Sequence, residues 1–388
     1  MRIAERRASN EPRFARVLLL VTEDWFVLSH FKPLVAVLRE FAREVAVVTR
    51  SSGRTAEIEA LGARVIEFDY RRSSTNPAVE MASAMGLARI LNAENPDVVH
   101  LIAMKPIVLG SAALALSGTR PAVVHMTGLG LLGFTDKPLL RLYRAGSMRL
   151  IGQTIRKPSS FLLVENTDDL EFLRAQGVDP GPRFGVLPGA GLDPDAFPAL
   201  PPPRQETPSA AFVGRLIRSK GVDILMSAFE KLEAQGSPLR LELYGPSDLN
   251  PDAIAPDLLE TWCKAHNAHW PGRTSNVREV WQHADMFVLP ARGGEGMPRA
   301  MLEAAACGRA LVVTDVPGCR HFVRDGVEGL VVPPNDVTAL AGALHRLASD
   351  RGLRERMGAA ARRRLLEGFT EAHVKDVLRS AYRRLARV

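Results

Sequence analysis

The sequence predicts an α/β protein of two Rossmann-like domains, each built on a doubly wound parallel sheet. Three observations carry this expectation. The chain of 388 residues is longer than one hydrophobic core usually serves, so two domains of roughly 150 to 200 residues are the natural division. Short apolar runs alternate with helical patterns along both halves, because parallel strands buried on both faces read as continuous apolar runs and need crossover helices. The proline-rich stretch Phe197 to Pro208, with Pro201, Pro202 and Pro203, interrupts that alternation once, as an interdomain linker does.

Residues 1–15 read as a charged tail, and the apolar run that follows is too short for a spanning helix or a typical signal peptide. In the domain expected at 16–198, strand-like runs fall at Val17 to Thr22, Val45 to Val48, Val65 to Phe68, Val98 to Ile102, Val123 to Met126 and Phe161 to Val164. After a linker at 199–208, a second domain at 209–370 repeats the pattern at Ser209 to Val213, Leu239 to Tyr244, Met286 to Leu289, Ala310 to Thr314 and Gly329 to Val332. The chain closes on arginine-rich helical patterns, Ala359 to Leu366 and, after a break at Gly368, Glu371 to Leu385.

With 46% hydrophobic and 24% charged residues, the composition is that of a globular protein, neither disordered nor fibrous. Cys263, Cys307 and Cys319 lack the spacing of a zinc or redox site and are too few and too scattered for a disulfide framework, which points to a reducing cytoplasm. The net charge of +7 and pI near 9.6 favour anionic partners. Between Lys137 and Lys157, six basic residues, Lys137, Arg141, Arg144, Arg149, Arg156 and Lys157, occur with no acidic one. Interleaved with Leu139, Leu140, Leu142, Tyr143, Met148, Leu150 and Ile151, they form either a basic amphipathic helix for an anionic membrane surface or a solvated helix face. Nucleic acid is excluded as a partner, since the charge comes without aromatic stacking platforms. A nicotinamide-dependent dehydrogenase is excluded too, since neither first strand leads into G-x-G-x-x-G.

In open α/β sheets, ligands bind beyond the carboxyl ends of the strands. After Val213 comes Gly214-Arg215-Leu216-Ile217-Arg218-Ser219-Lys220-Gly221. A glycine for close approach, two cations and a helix start suit a diphosphate, and a solvated basic loop is the plain alternative. After Leu289 comes Pro290-Ala291-Arg292-Gly293-Gly294-Glu295-Gly296-Met297-Pro298, with Glu303 inside the helix that Pro298 opens. Carboxylates accept hydrogen bonds strongly from sugar and ribose hydroxyls, although two glutamates at this spacing alone carry little weight.

Together the segments resemble the retaining GT-B glycosyltransferases of the family 4 group, also called glycosyl transferases group 1. That family carries G-R-L-x-x-x-K-G, then E-G-x-P-x-x-x-x-E-A-x-A-x-G, here Glu295 to Gly308, and a closing D-G-x-x-G, here Asp325 to Gly329. The resemblance implies two Rossmann-like domains facing across a cleft, with the acceptor on the first, the nucleotide sugar on the second, and the last helix, 371–388, crossing back to the first. Gly214, Arg215 and Lys220 would hold the donor diphosphate. Glu295, with Gly296, Met297 and Pro298, would hold the donor sugar and serve catalysis, Glu303 the ribose, and Arg273 and Val277 the base. No cofactor is implied, since the nucleotide sugar is a substrate, and no metal, since no D-x-D stands in the expected place.

The first domain departs from the family. Its opening loop has no glycine pair but His30, near a helix start, as an acceptor-binding candidate. The strand Val123 to Met126 ends at Thr127, where relatives often place a histidine beside the reacting sugar. His125 lies two residues earlier on the same strand face, so His125 and Thr127 are both catalytic candidates and Gly128 and Gly130 acceptor-binding ones. The combination of Ser29-His30-Phe31, Ser73-Ser74-Thr75-Asn76-Pro77 and Thr127-Gly128-Leu129-Gly130 resembles the subgroup that extends polyprenyl-diphosphate-linked sugars. That subgroup implies a lipid-linked glycan acceptor and peripheral attachment through residues 137–157 at the inner face of the cytoplasmic membrane, while UDP is the expected donor nucleotide on family frequency alone, with GDP second.

Overall fold

The computed structural model describes residues 13–71, 74, 76–118, 120–129, 138–246, 252–274 and 276–387. Most of the expected tail, Ser73 and Thr75, Gly130 and Lys137 lie outside the described residues. The chain divides into two compact units, Met1–Ala190 with Glu371–Val388, and Gly191–Thr370.

The first unit runs β1 (Phe14–Glu23), α1 (Asp24–His30), α2 (Lys32–Phe41), β2 (Ala42–Arg50), α3 (Thr55–Ala60), β3 (Arg64–Glu67), α4 (Pro77–Glu94), β4 (Val98–Ile102), α5 (Met104–Leu116), β5 (Ala122–Met126), α6 (Pro138–Ile155), β6 (Ser160–Val164), α7 (Thr167–Ala175) and β7 (Phe184–Val186). Seven strands form a parallel sheet in the order β3-β2-β1-β4-β5-β6-β7. Val17 to Val21 of β1 are fully buried, because helices cover both faces of a parallel sheet and leave no polar side to its central strands. The order in which successive strands are added reverses between β1 and β4, which places the unit's crevice beyond the carboxyl ends of those two parallel strands.

Helix ends follow their local chemistry. The Asn76 side chain accepts from the Ala78 backbone N–H at 2.9 Å at the start of α4, and Asn166 accepts from Asp169 N–H at 2.8 Å at the start of α7, each satisfying an amide the helix cannot.

The second unit runs β8 (Ser209–Val213), a 3₁₀ turn (Arg218–Lys220), α8 (Val222–Ala234), β9 (Arg240–Tyr244), α9 (Pro256–Ala265), β10 (Ala268–Gly272), α10 (Val277–His283), β11 (Met286–Leu289), α11 (Arg299–Ala306), β12 (Ala310–Thr314), α12 (Pro317–Phe322), β13 (Gly329–Val332), α13 (Val337–Ser349) and α14 (Arg351–Gly368). Its six parallel strands take the order β10-β9-β8-β11-β12-β13, which sets the reversal between β8 and β11. The proline-rich stretch belongs to this unit. Phe197 and Leu200 pack on its core, Arg309 donates to the Pro201 carbonyl at 2.9 Å, and the division between units falls ahead of it, after Ala190.

The last helix, α15 (Glu371–Leu385), returns to the first unit. Val374, Leu378, Ala381, Tyr382 and Leu385 join the core on one face of the first sheet. At its edge Arg379 forms a two-pronged ion pair with Glu40 of α2 at 2.7 and 2.8 Å.

Candidate functional site

In the second unit, the chemistry-bearing segments follow the two strands that flank the reversal. Glycine lets them approach closely. A Cβ on Gly221 would stand 1.9 Å from the Pro290 carbonyl oxygen, so the turn carrying Lys220 is pressed against the end of β11. A Cβ on Gly318 would stand 1.9 Å from the Gly296 oxygen, which seats the start of α12 on the Glu295 loop. Both positions exclude any side chain without backbone movement.

This packing brings Lys220 and Glu295 together from 75 residues apart in sequence. The Lys220 ammonium lies 3.0 Å from each carboxylate oxygen, with side chains 19% and 16% exposed. Gly214 and Arg215 are half-buried in the loop leading to Lys220, while Gly296, Met297 and Pro298 are buried behind Glu295. Pro298 caps α11, and Glu303 lies within that helix, 6% exposed and paired with Arg299 one turn earlier at 2.9 Å. Burial raises the Glu303 pKa, opposed in part by the Arg299 charge and hydrogen bond. Arg273 is exposed after β10, and Val277, first in α10, is half-buried against the core. The sheet order sets β10 two strands outside β8, so these two lie toward the edge of the same sheet.

The loop between β11 and α11 holds a residue that sequence reasoning passed over. Arg292 grips Asp223 with two bonds, at 2.7 and 2.9 Å, donates to Asn335 Oδ1 at 2.7 Å, and also reaches the Arg218 carbonyl. Its partners lie 43 to 74 residues away, so no local spacing marks them.

In the first unit, β5 ends beside β4, and its residues fall on two levels. His125 is inside the core, 3% exposed, with Nδ1 3.3 Å from His100 Nε2 and Phe31 packed edge-on at 5.5 Å between centroids. Its Nε2 has no partner, and burial depresses its pKa to about 3, which keeps the ring neutral. His100 in turn meets the Tyr382 hydroxyl at 2.8 Å. Thr127 is half-buried past the strand end, and Gly128 follows with φ 107. His30 closes α1, with Nδ1 2.7 Å from Ser29 Oγ. Gly130 lies outside the described residues.

The start of α1, directly after β1, holds a second network the sequence did not announce. Asp24 accepts from Ser52 N–H and Oγ–H, both at 2.6 Å, and from Arg54 N–H at 3.2 Å. Burial raises the Asp24 pKa, but these hydrogen bonds outweigh it and hold the carboxyl below its ordinary range.

Of α6, Met148 and Ile151 face the core, whereas Arg141, Leu142, Ala145, Gly146, Arg149 and Gln153 are exposed, as is Arg156 just past its end. The apolar side of the expected amphipathic helix is therefore spent on the unit's own core, and the outer side is basic with Leu142. Among the described residues, no helix is long and apolar enough to cross a membrane, and no three His, Cys, Asp or Glu side chains are grouped to hold a metal ion.

Comparison with known proteins agrees with this architecture. Residues 16–155 match the family model described as glycosyl transferase 4-like, and residues 207–350 the one described as glycosyl transferases group 1. The N,N'-diacetylbacillosaminyl-diphospho-undecaprenol alpha-1,3-N-acetylgalactosaminyltransferase of Campylobacter jejuni is 26% identical over 343 residues, 84% of this chain and 87% of that protein. Several further relatives are matched over only 53% to 60% of their own length. The solved sucrose-phosphate synthase of Thermosynechococcus elongatus superposes with a TM-score of 0.78 at 18% identity, over 96% of this chain and 99% of its own. Anabaena HepE, solved with UDP and glucose, gives 0.71 at 16% identity over 93% and 97%. Two parallel-sheet Rossmann-like units, each with its family match, place this chain among the group 1 glycosyltransferases of the GT-B fold, enzymes that use nucleotide sugars.

Proposed function

We propose that this chain moves a hexosyl or N-acetylhexosaminyl group from a UDP-sugar to a polyprenyl-diphosphate-linked glycan, with retention and without a metal ion. The acceptor chemistry sets the place: the inner face of the cytoplasmic membrane, during assembly of a bacterial surface polysaccharide or glycoprotein. The observation that carries the reading is the Lys220–Glu295 pair at the reversal of the second sheet, a cation and a carboxylate where such sheets bind their ligands. The Campylobacter relative, named for a bacillosaminyl-diphospho-undecaprenol acceptor, and the UDP-bound Anabaena neighbour support the acceptor and the nucleotide.

In this reading the donor diphosphate takes Lys220 and Arg215 as counter-charges, beside the backbone of Gly214. Glu295, released from Lys220, accepts hydrogen bonds from donor sugar hydroxyls, and the Gly296 and Met297 backbone N–H groups lie beside it, with Pro298 setting the turn. Glu303, paired with Arg299, accepts the ribose hydroxyls, while Arg273 and Val277 border the base. The bond from the anomeric carbon to the diphosphate breaks and the bond to the acceptor oxygen forms on the same face. The acceptor hydroxyl proton passes to the departing phosphate oxygen. Negative charge grows on that oxygen in the transition state, so preorganised cations there contribute several kcal/mol, about 3 for a well-placed partner. Thr127 and His30, with Gly128 and Gly130, would border the acceptor, and His125, buried in the core, would act only from behind them.

The test is a panel of UDP- and GDP-sugars with detergent-solubilised polyprenyl-diphosphate sugars and free sugars, run with and without EDTA. Transfer to a lipid-linked acceptor is expected, insensitive to EDTA, with an α-linked product from an α-linked donor, and lost in Lys220→Ala and Glu295→Ala. Tight nucleotide-sugar binding with no transfer to any lipid acceptor would sink the acceptor assignment and leave a soluble acceptor or a non-catalytic scaffold.

A further inference from the structure

The two members of the Lys220–Glu295 pair arrive on separate segments, and something must hold those segments in register. Lys220 closes the 3₁₀ turn Arg218–Lys220. Glu295 follows Gly293 and Gly294, at φ 142 and 75, conformations that give a loop little stiffness of its own. Beyond Glu295 the loop is fixed by the contact of Gly296 with Gly318. Before the glycines it is fixed by Arg292.

We propose that Arg292 is a positioning residue that holds Lys220 and Glu295 in register; the consequence for transfer rests on the reading of this pair as the donor site. Arg292 spans the segments directly. Its backbone N–H donates to the Ser219 carbonyl at 2.9 Å, one residue from Lys220. Its guanidinium grips the Asp223 carboxylate at 2.7 and 2.9 Å, in the first turn of the helix that follows Lys220, and bonds the Arg218 carbonyl, on the turn itself. The remaining edge donates to Asn335 at 2.7 Å, a residue held at φ 63 in the loop after β13. The planar fork thus ties three loops of the second unit around one centre, which a lysine cannot reproduce. The contact also acts on Asp223: burial raises its pKa, but the Arg292 bond and charge, with local backbone N–H groups, bring it below the ordinary carboxylate value. Asp252 also steadies the turn, accepting from Ser219 N–H at 2.8 Å, so without the Arg292 side chain the turn persists, joined to the end of β11 only by the Arg292 main-chain bond and the Gly221–Pro290 contact, and its distance to Glu295 is set less tightly.

The direct test needs no substrate. Acylation of lysines by a limiting amine reagent, followed by peptide mass spectrometry, reports how well each ammonium is held, with Lys231 and Lys264 as internal controls. Arg292→Lys and Arg292→Ala are expected to raise the rate at Lys220 by about five-fold, the factor that losing an ion pair of this exposure produces, and Glu295→Gln to do the same. Asp223→Asn, which keeps the shape and removes the charge, should give a smaller rise in the same direction. An unchanged Lys220 rate in folded Arg292→Lys would overturn the proposal. In turnover assays Arg292→Lys should lower kcat about ten-fold, as misplacement at a reacting centre does, and in UDP-binding assays, which stay readable when transfer is lost, most of the affinity lost on Arg292→Lys should not be lost again in a Lys220→Ala background. Full additivity of the two substitutions would equally overturn it. If the wild type bound no UDP, the donor reading would fail, and the Lys220 labelling would still decide the role of Arg292.

Discussion

Glu303 carries a conflict between burial and charge that its proposed task explains. A carboxyl at 6% exposure is disfavoured when ionised, and its pKa is raised because burial outweighs the Arg299 pair. Below the ordinary value of 4.5, both folded and unfolded chains hold the proton and no cost arises. As pH rises through 4.5 the unfolded chain ionises first, so stability falls until the folded carboxyl has ionised too, and the loss is constant above that point. Glu303→Gln should therefore raise the thermal unfolding midpoint at pH 7.5, with the gain shrinking to nothing below about pH 4. The same variant should weaken UDP-sugar binding by about ten-fold or more, the effect of losing a charged hydrogen-bond acceptor. A stabilised variant with full affinity would remove Glu303 from the donor site. The combination expected, stability gained and binding lost, is that of a residue kept at a stability cost for a ligand.

At the level of elements, what sequence could and could not reveal follows from burial. Central strands such as Val98–Ile102, Met286–Leu289 and Ala310–Thr314 stood out because both faces are covered, and a covered strand is an apolar run. The two strands with no such run, Phe184–Val186 and Ala268–Gly272, are sheet edges, half-buried at most, and the second contains Pro271, which edge strands tolerate. Motif residues of the site were legible because Lys220 sits next to Gly221, which the close packing requires, and Glu295 stands between Gly294 and Gly296. Arg292, Asp223 and the His100–Tyr382 contact were not, because long-range partners leave no local period. The last helix is the clearest case. It buries Val374, Leu378, Tyr382 and Leu385 in the first unit, each contributing about 1.5 to 3 kcal/mol, against a typical domain stability of about 5 to 15 kcal/mol. A chain ending at Thr370 should thus lose the cooperative unfolding transition of the first unit, read from Trp25, and with it all turnover. The second unit, read from Trp262, Trp270 and Trp281, should still unfold cooperatively and bind UDP with little change. A first unit that stays folded without the helix would show that this core does not depend on it.

For the molecule as a whole, the excess charge has a place as well as a sign. The net +7 includes an outward stripe on α6 and the turn that follows it, where Arg141, Arg149 and Arg156 are exposed and Leu142 is 72% exposed. Met148, Ile151 and Ile155 face the core instead, so the helix has no second apolar face to sink into lipid. Attraction to an anionic surface must then be mainly electrostatic, at about 1 kcal/mol for each cation near the surface, with Leu142 adding a single apolar contact. Replacing all three arginines by glutamine should weaken binding to vesicles containing anionic lipid by about 100-fold, the sum of three such contributions. Sedimentation with vesicles measures this, and two controls give it meaning. Wild-type binding should fall steeply as salt rises, since the screening length is only about 10 Å at 0.1 M and shortens further above it, and vesicles of neutral lipid should bind little at any salt. Turnover of a detergent-solubilised acceptor should be unchanged in the triple variant, because the stripe lies outside the residues proposed to touch either substrate. Salt-resistant binding, or equal binding by the triple variant, would mean that α6 is only a solvated helix face and that a lipid-linked acceptor reaches this enzyme by another surface.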